Sequence, residues 1–197
     1  MKYDGSTGEG FLAWQPSTWP DAPSSYTEEF KETLRTIFHD SLLVEIEKVI
    51  TDAPSLIHRE HVVALSILCA MDTVSSYAFR ESGVDQCQSC GRTDKVGPRY
   101  KKFIAEFFPV GYPRFADKIY HLYRNSLTHS WNLFEATMMP GNEPIEEIDG
   151  TIRLGLLNFF DAFKASVDTF LEKLSHDSTI QVAALKRYSD LKRTARP

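Results

Sequence analysis

The chain has 197 residues, 42% apolar and 25% charged, with a net charge of −5. This length points to one domain that can bury a sizeable core without help from a disulfide or a metal. The apolar share excludes a disordered chain, the unpatterned ten Gly and ten Pro exclude a fibrous repeat, and no apolar run approaches the ~18 residues of a membrane span.

Residues 1–24 are rich in Gly, Ser and Pro and carry Trp14 and Trp19. They read as an extended arm whose Trp residues pin it to the body or to a partner, ahead of one domain over 25–197. Ser25 followed by Glu28 is a capping box and opens a first helix. Phe30, Leu34, Ile37, Phe38, Leu42, Ile46 and Val49 keep its spacing to about Ile50, before Asp52-Ala53-Pro54-Ser55 breaks it. A second helix spans about Leu56 to Phe79. It is apolar nearly all round from Val62 to Met71, as suits the centre of a bundle. Asp72 lies in its middle, and a carboxylate buried there needs a partner.

Residues 81–98 read as a loop, and a short third helix covers about 99–108. Pro109-Val110-Gly111-Tyr112-Pro113 then breaks the chain, with Pro113 suited to the first turn of a fourth helix that runs to about Ser126. Trp131 to Glu135 has β character. Asp149-Gly150 between Ile145–Ile148 and Thr151–Leu154 is a hairpin signal, giving a small β excursion near 131–154. Leu156, Phe160, Phe163, Val167, Phe170 and Leu174 mark one face of a fifth helix. Ser178 with Gln181 is a capping box for a last one. The expected fold is all-α: a bundle of five or six helices with a small β-hairpin excursion.

Charge is uneven along the chain. Residues 87–124 hold eight Lys or Arg against three acids, and the tail from 178 holds five against one. Residues 125–150 hold five acids and no Lys or Arg. Solvated helix faces explain this, and so does a basic middle and tail available to a polyanion.

One hexapeptide concentrates chemistry: Arg124-Asn125-Ser126-Leu127-Thr128-His129. Arg presents fixed donors shaped for phosphate oxygens. His takes and returns a proton near neutral pH. Asn holds either a phosphate oxygen or the imidazole tautomer. On an unbroken helix, Arg124 and His129 would point about 140° apart, so they converge only if the helix ends or loosens between them. An Arg and a His at a helix end also serve simply to cap carbonyls.

The run Tyr123-Arg124-Asn125-Ser126-Leu127-Thr128-His129-Ser130 resembles the signature of HEPN domains, an all-α superfamily marked by Arg, four to six residues, then His, commonly with Asn after the Arg. The resemblance implies a metal-independent endoribonuclease whose site forms where two motif copies meet across a homodimer. His129 would act as acid or base, Arg124 would stabilise the transition state, and Asn125 would orient the phosphate or His129. Tyr123 and Ser126 would support the site, and Asp72 would support Arg124 if the second and fourth helices touch. The alternative for Asp72 is a different basic partner. The products would carry a 2′,3′-cyclic phosphate, and DNA would be refused for want of the 2′-hydroxyl. The family also implies a toxin or defence role, with an antitoxin or other protein partner. The rival reading is a non-catalytic module that binds RNA, a nucleotide or a protein.

Three Cys form no disulfide framework, no apolar leader opens the chain, and the expected setting is cytoplasmic with no membrane partner. Cys87 and Cys90 make half of a zinc knuckle, but a structural zinc takes four ligands and no second CxxC follows. Cys69 reads as core. His58 and His61 lie one turn apart without an evident third ligand, so neither a metal nor another cofactor is expected. Trp131, Phe134, Phe159 and Phe160 read as core or dimer contacts.

Overall fold

The computed structural model describes residues 19–51, 60–79, 85–86, 93–94, 96–121 and 136–194. Six helices dominate the described residues. The first, α1, runs through Glu28–Arg35, a wider π-helical stretch Thr36–Leu43, and Val44–Thr51. It starts later than the Ser25 capping box suggests. Thr27 is extended and its hydroxyl accepts from the Phe30 amide at 3.1 Å. Glu28 instead takes the Tyr26 hydroxyl at 2.7 Å and the Lys31 ammonium at 3.1 Å. The π stretch turns Ile37, Phe38, Ser41 and Leu43 inward, and no sequence period announces it.

Helix α2 is Glu60–Ala78, with eleven of its 19 residues buried. The expected loop at 81–98 contains two short antiparallel strands, β1 Asp85–Gln86 and β2 Thr93–Asp94. Helix α3 is Val96–Phe107 and starts earlier than expected. Pro98 falls in its first turn, where a missing amide costs nothing. Gly111 then adopts φ +105°, a region open to Gly at no steric cost. A 3-10 turn, Pro113–Phe115, leads into α4, Ala116–Lys118, which continues to His121.

The β excursion is a three-stranded sheet, not a lone hairpin. Strand β3 is Ala136–Met139, β4 Glu146–Ile148 and β5 Thr151–Gly155, in the order β3-β5-β4. Strands β4 and β5 form the expected hairpin, with Ile148 opposite Thr151. Asp149 and Gly150 take φ of 50° and 78°, the turn that matches strand twist. Strand β3 pairs parallel to β5, Ala136 opposite Ile152, and was not expected. Helix α5, Leu156–Leu174, follows β5 without a loop, and α6 is Ser178–Thr194. Ser178 is the first helical residue of α6, not its cap. Asp177 caps it, accepting from the amides of Thr179 at 2.8 Å and Ile180 at 3.2 Å. A carboxylate at a helix N-terminus gains from the dipole as well as the hydrogen bonds.

Helix α2 touches α1, α3, α5, α6 and β3, so it is the centre of the bundle. It is long and apolar enough to cross a bilayer, but most of it is buried inside the protein. The six apolar positions expected on one face of α5 are all buried. Phe170 lies edge-on to both Phe38 (6.1 Å) and Phe107 (5.9 Å), and Phe38 to Tyr77 (5.2 Å). These contacts lock α1, α2, α3 and α5 together, each worth about 1 kcal/mol beyond the area buried. Phe159 and Phe160 are core, one of the two roles expected for them.

Candidate functional site

Residues 122–135 lie in sequence between His121, the last described residue of α4, and Ala136, at the start of β3. Tyr123, Arg124, Asn125, Ser126, His129, Trp131 and Phe134 therefore lie outside the described residues, as do Cys87, Cys90 and His58. The surroundings of both ends of that stretch are described. Tyr120, just before it, is buried with its ring 5.3 Å from that of Tyr100 on α3. Strand β3, just after it, touches α2.

Asp72 on α2 has a partner on α3. Its Oδ1 accepts from Arg99 Nη2 at 2.6 Å, with 27% and 20% of the two side chains exposed. Arg99 is thus one basic partner of Asp72, while Arg124 lies outside the described residues. The Arg99 Nε is buried and has no hydrogen-bond partner among the described residues. A guanidinium with one donor filled by a carboxylate and another open is suited to holding a further acceptor. Asp72 and Arg99 are 27 residues apart, so no local pattern could have joined them.

The basic middle is largely neutralised where it is described. Lys101 meets Asp117 at 3.1 Å, Lys102 meets Glu106 at 3.6 Å, and Lys118 meets Glu147 at 2.7 Å. With Arg99 on Asp72, only Arg114 of the five cations described there has no acidic partner among the described residues. Its guanidinium lies over the ring of Phe115, 4.6 Å from the centroid. Exposed pairs such as Lys102–Glu106 add little stability, but they reduce the positive field that a polyanion would meet.

Cys69 is exposed and not core. It lines an apolar groove of about 310 Å³ between α1 and α2, with Leu42, Ile46, Val49 and Ala70. The expected burial fails because α2 turns its Ser66-Cys69-Thr73 side away from the aromatic core. No group of three or more metal-ligating side chains occurs among the described residues, and His61 stands in none.

Burial raises the ordinary ionisation of several tyrosines. Tyr188 is pushed up to about 12 by burial first and Asp21 second. Tyr77 and Tyr112 are raised further, chiefly by burial. Tyr112 donates to Asn158 Oδ1 at 2.6 Å, fastening the 109–113 break to α5. These are phenols held neutral for packing.

No protein-family model, curated protein or solved structure matches the chain with significance.

Proposed function

We propose that the chain is a metal-independent endoribonuclease of the HEPN type, working as a homodimer. The observation that carries this reading is the run Arg124-Asn125-Ser126-Leu127-Thr128-His129, which gathers a permanent cation, an amide and an imidazole into six residues. The mostly helical fold of the described residues supports it.

In this reading one His129 removes the proton of a ribose 2′-hydroxyl. The oxygen attacks the adjacent phosphorus, and the bond to the 5′-oxygen breaks. The second His129, from the partner chain, delivers a proton to that leaving oxygen. Acid and base are needed together, which one imidazole per chain does not supply and a two-fold dimer does. Arg124 stabilises the charge that builds on the phosphoryl oxygens. Asn125 orients the phosphate or the imidazole. The products are a 2′,3′-cyclic phosphate and a free 5′-hydroxyl. A toxin or defence role, with an antitoxin as partner, follows from the family alone.

The test is incubation of the full chain with RNA in the presence of EDTA. Cleavage that survives chelation and disappears in both Arg124→Ala and His129→Ala supports the enzyme. Binding of RNA without cleavage replaces it with a binding module. Identical behaviour of wild type and variants removes the motif from the account.

A further inference from the structure

Helix α6 packs on α2, and Leu185 and Leu191 lie half-buried against the core beside its fully buried positions. Its buried side chains are Ile180, Ala184 and Tyr188, and one of them is only a methyl group. Val182 is 64% exposed. Its described polar tie to α2 is Arg187 Nε donating to Ser76 Oγ at 2.9 Å. Three described side chains of α6 are fully buried against ten on α5, so α6 is the more weakly held of the two and the readier to detach locally.

The short stretch ahead of α1 adds to that hold. Trp19, 6% exposed, stacks on the Tyr188 ring at 5.2 Å and 24°. The Tyr188 hydroxyl donates to the Pro20 carbonyl at 2.9 Å. The Lys192 ammonium donates to the Trp19 carbonyl and lies 3.6 Å from the Asp21 carboxylate. Tyr188 in turn stands edge-on to Phe30 of α1 at 5.3 Å. Residues 20, 21, 24 and 25 are exposed, so the stretch rests on these anchors. A gap of about 120 Å³ remains beneath it, lined by Pro20, Pro23, Thr27, Thr33 and Tyr188 among others.

We propose that residues 19–21 are a clasp that keeps α6 on the bundle, and that clasp and helix release together as one unit while α1, α2, α3 and α5 stay folded. The aromatic contacts joining those four helices do not include Trp19 or Tyr188. Release would also free Arg187 from Ser76 and Lys192 from Trp19 and Asp21, adding two cations to the exposed Lys186, while Arg193 stays beside Asp190 at 3.3 Å. The device is therefore conformational, and it sets how much positive charge the last helix presents. It does not depend on the nuclease reading.

Native-state hydrogen exchange of the full chain tests this, with Trp19→Ala and Tyr188→Phe beside wild type. In Trp19→Ala the amides of 180–192 should exchange at least about tenfold faster, with those of 160–172 within about twofold of wild type. Tyr188→Phe keeps the ring stack and loses the bond to Pro20, so its α6 amides should quicken by roughly fivefold. Unchanged α6 exchange overturns the clasp. So does equal acceleration in α5, or a Trp19→Ala chain that fails to fold, since Trp19 would then belong to the common core.

Discussion

Gly155 joins the last strand to α5, and the structure gives it no room for a side chain. A Cβ there would lie 2.7 Å from the Glu143 amide nitrogen and closer still to the Glu143 carbonyl oxygen. Both are backbone atoms, so no rotamer change relieves the clash. The 141–143 segment is held on this junction by the Leu157 amide donating to the Gly141 carbonyl at 3.1 Å. Strand β3 is paired at the same point, Met139 opposite Gly155. Overpacking costs about 1–3 kcal/mol where side chains can adjust, and Gly155→Ala should reach the top of that range, about 3 kcal/mol. For a chain of this length that lowers Tm by roughly 6–12 °C. Gly150→Ala is the matched control. Gly150 has φ +78° but nothing within 4 Å of its Cβ position, so it should lose only about 1 kcal/mol, or roughly 2–4 °C. Thermal unfolding followed by circular dichroism reads both. Equal losses, or a harmless Gly155→Ala, would refute the packing argument.

Asp177→Ala removes the α6 cap and should cost about 1 kcal/mol in urea unfolding, with Asp177→Asn retaining most of it. Asp72→Ala leaves the Arg99 guanidinium without its carboxylate. The pair is largely but not fully buried, so the loss should be about 1–2 kcal/mol, and the double variant with Arg99→Met should recover part of it. Tyr188 ionises at about 12 in the folded chain and about 10 when unfolded. The folded state keeps the proton longer, so this contribution to stability is whole below pH 10 and is lost as pH rises through 12. Tyr188→Phe should therefore show a shallower fall in urea midpoint between pH 9.5 and pH 11.5 than wild type.

The elements that depend on one local pattern were legible in the sequence. The α5 face reads directly from Leu156 to Leu174, the Asp149-Gly150 turn from two residues, and the central place of α2 from its apolar girth. What the sequence hid was pairing at a distance. Ala136-Thr137-Met138-Met139 has no clean alternation, and its place beside β5 comes from a parallel pairing 16 residues away. Two helix caps were misplaced because a neighbour competes better: Thr27 for the α1 amides and Asp177 for those of α6. The basic middle looked open because its pairings are not local: Asp117 meets Lys101 from 16 residues along the chain, and Glu147 reaches Lys118 from β4. The motif residues Arg124, Asn125 and His129 were legible by type and spacing alone, whereas Arg99 as the partner of Asp72 was visible only in the folded chain.

The nuclease proposal stands or falls on whether a 2′-hydroxyl is the nucleophile and His129 its base. An oligodeoxynucleotide carrying one ribose tests both at once, in EDTA, with product ends read by mass spectrometry. The account predicts a single cut, 3′ to that ribose, leaving a 2′,3′-cyclic phosphate, and no cut with His129→Ala. Cleavage at deoxyriboses, or an undiminished cut with His129→Ala, would contradict it.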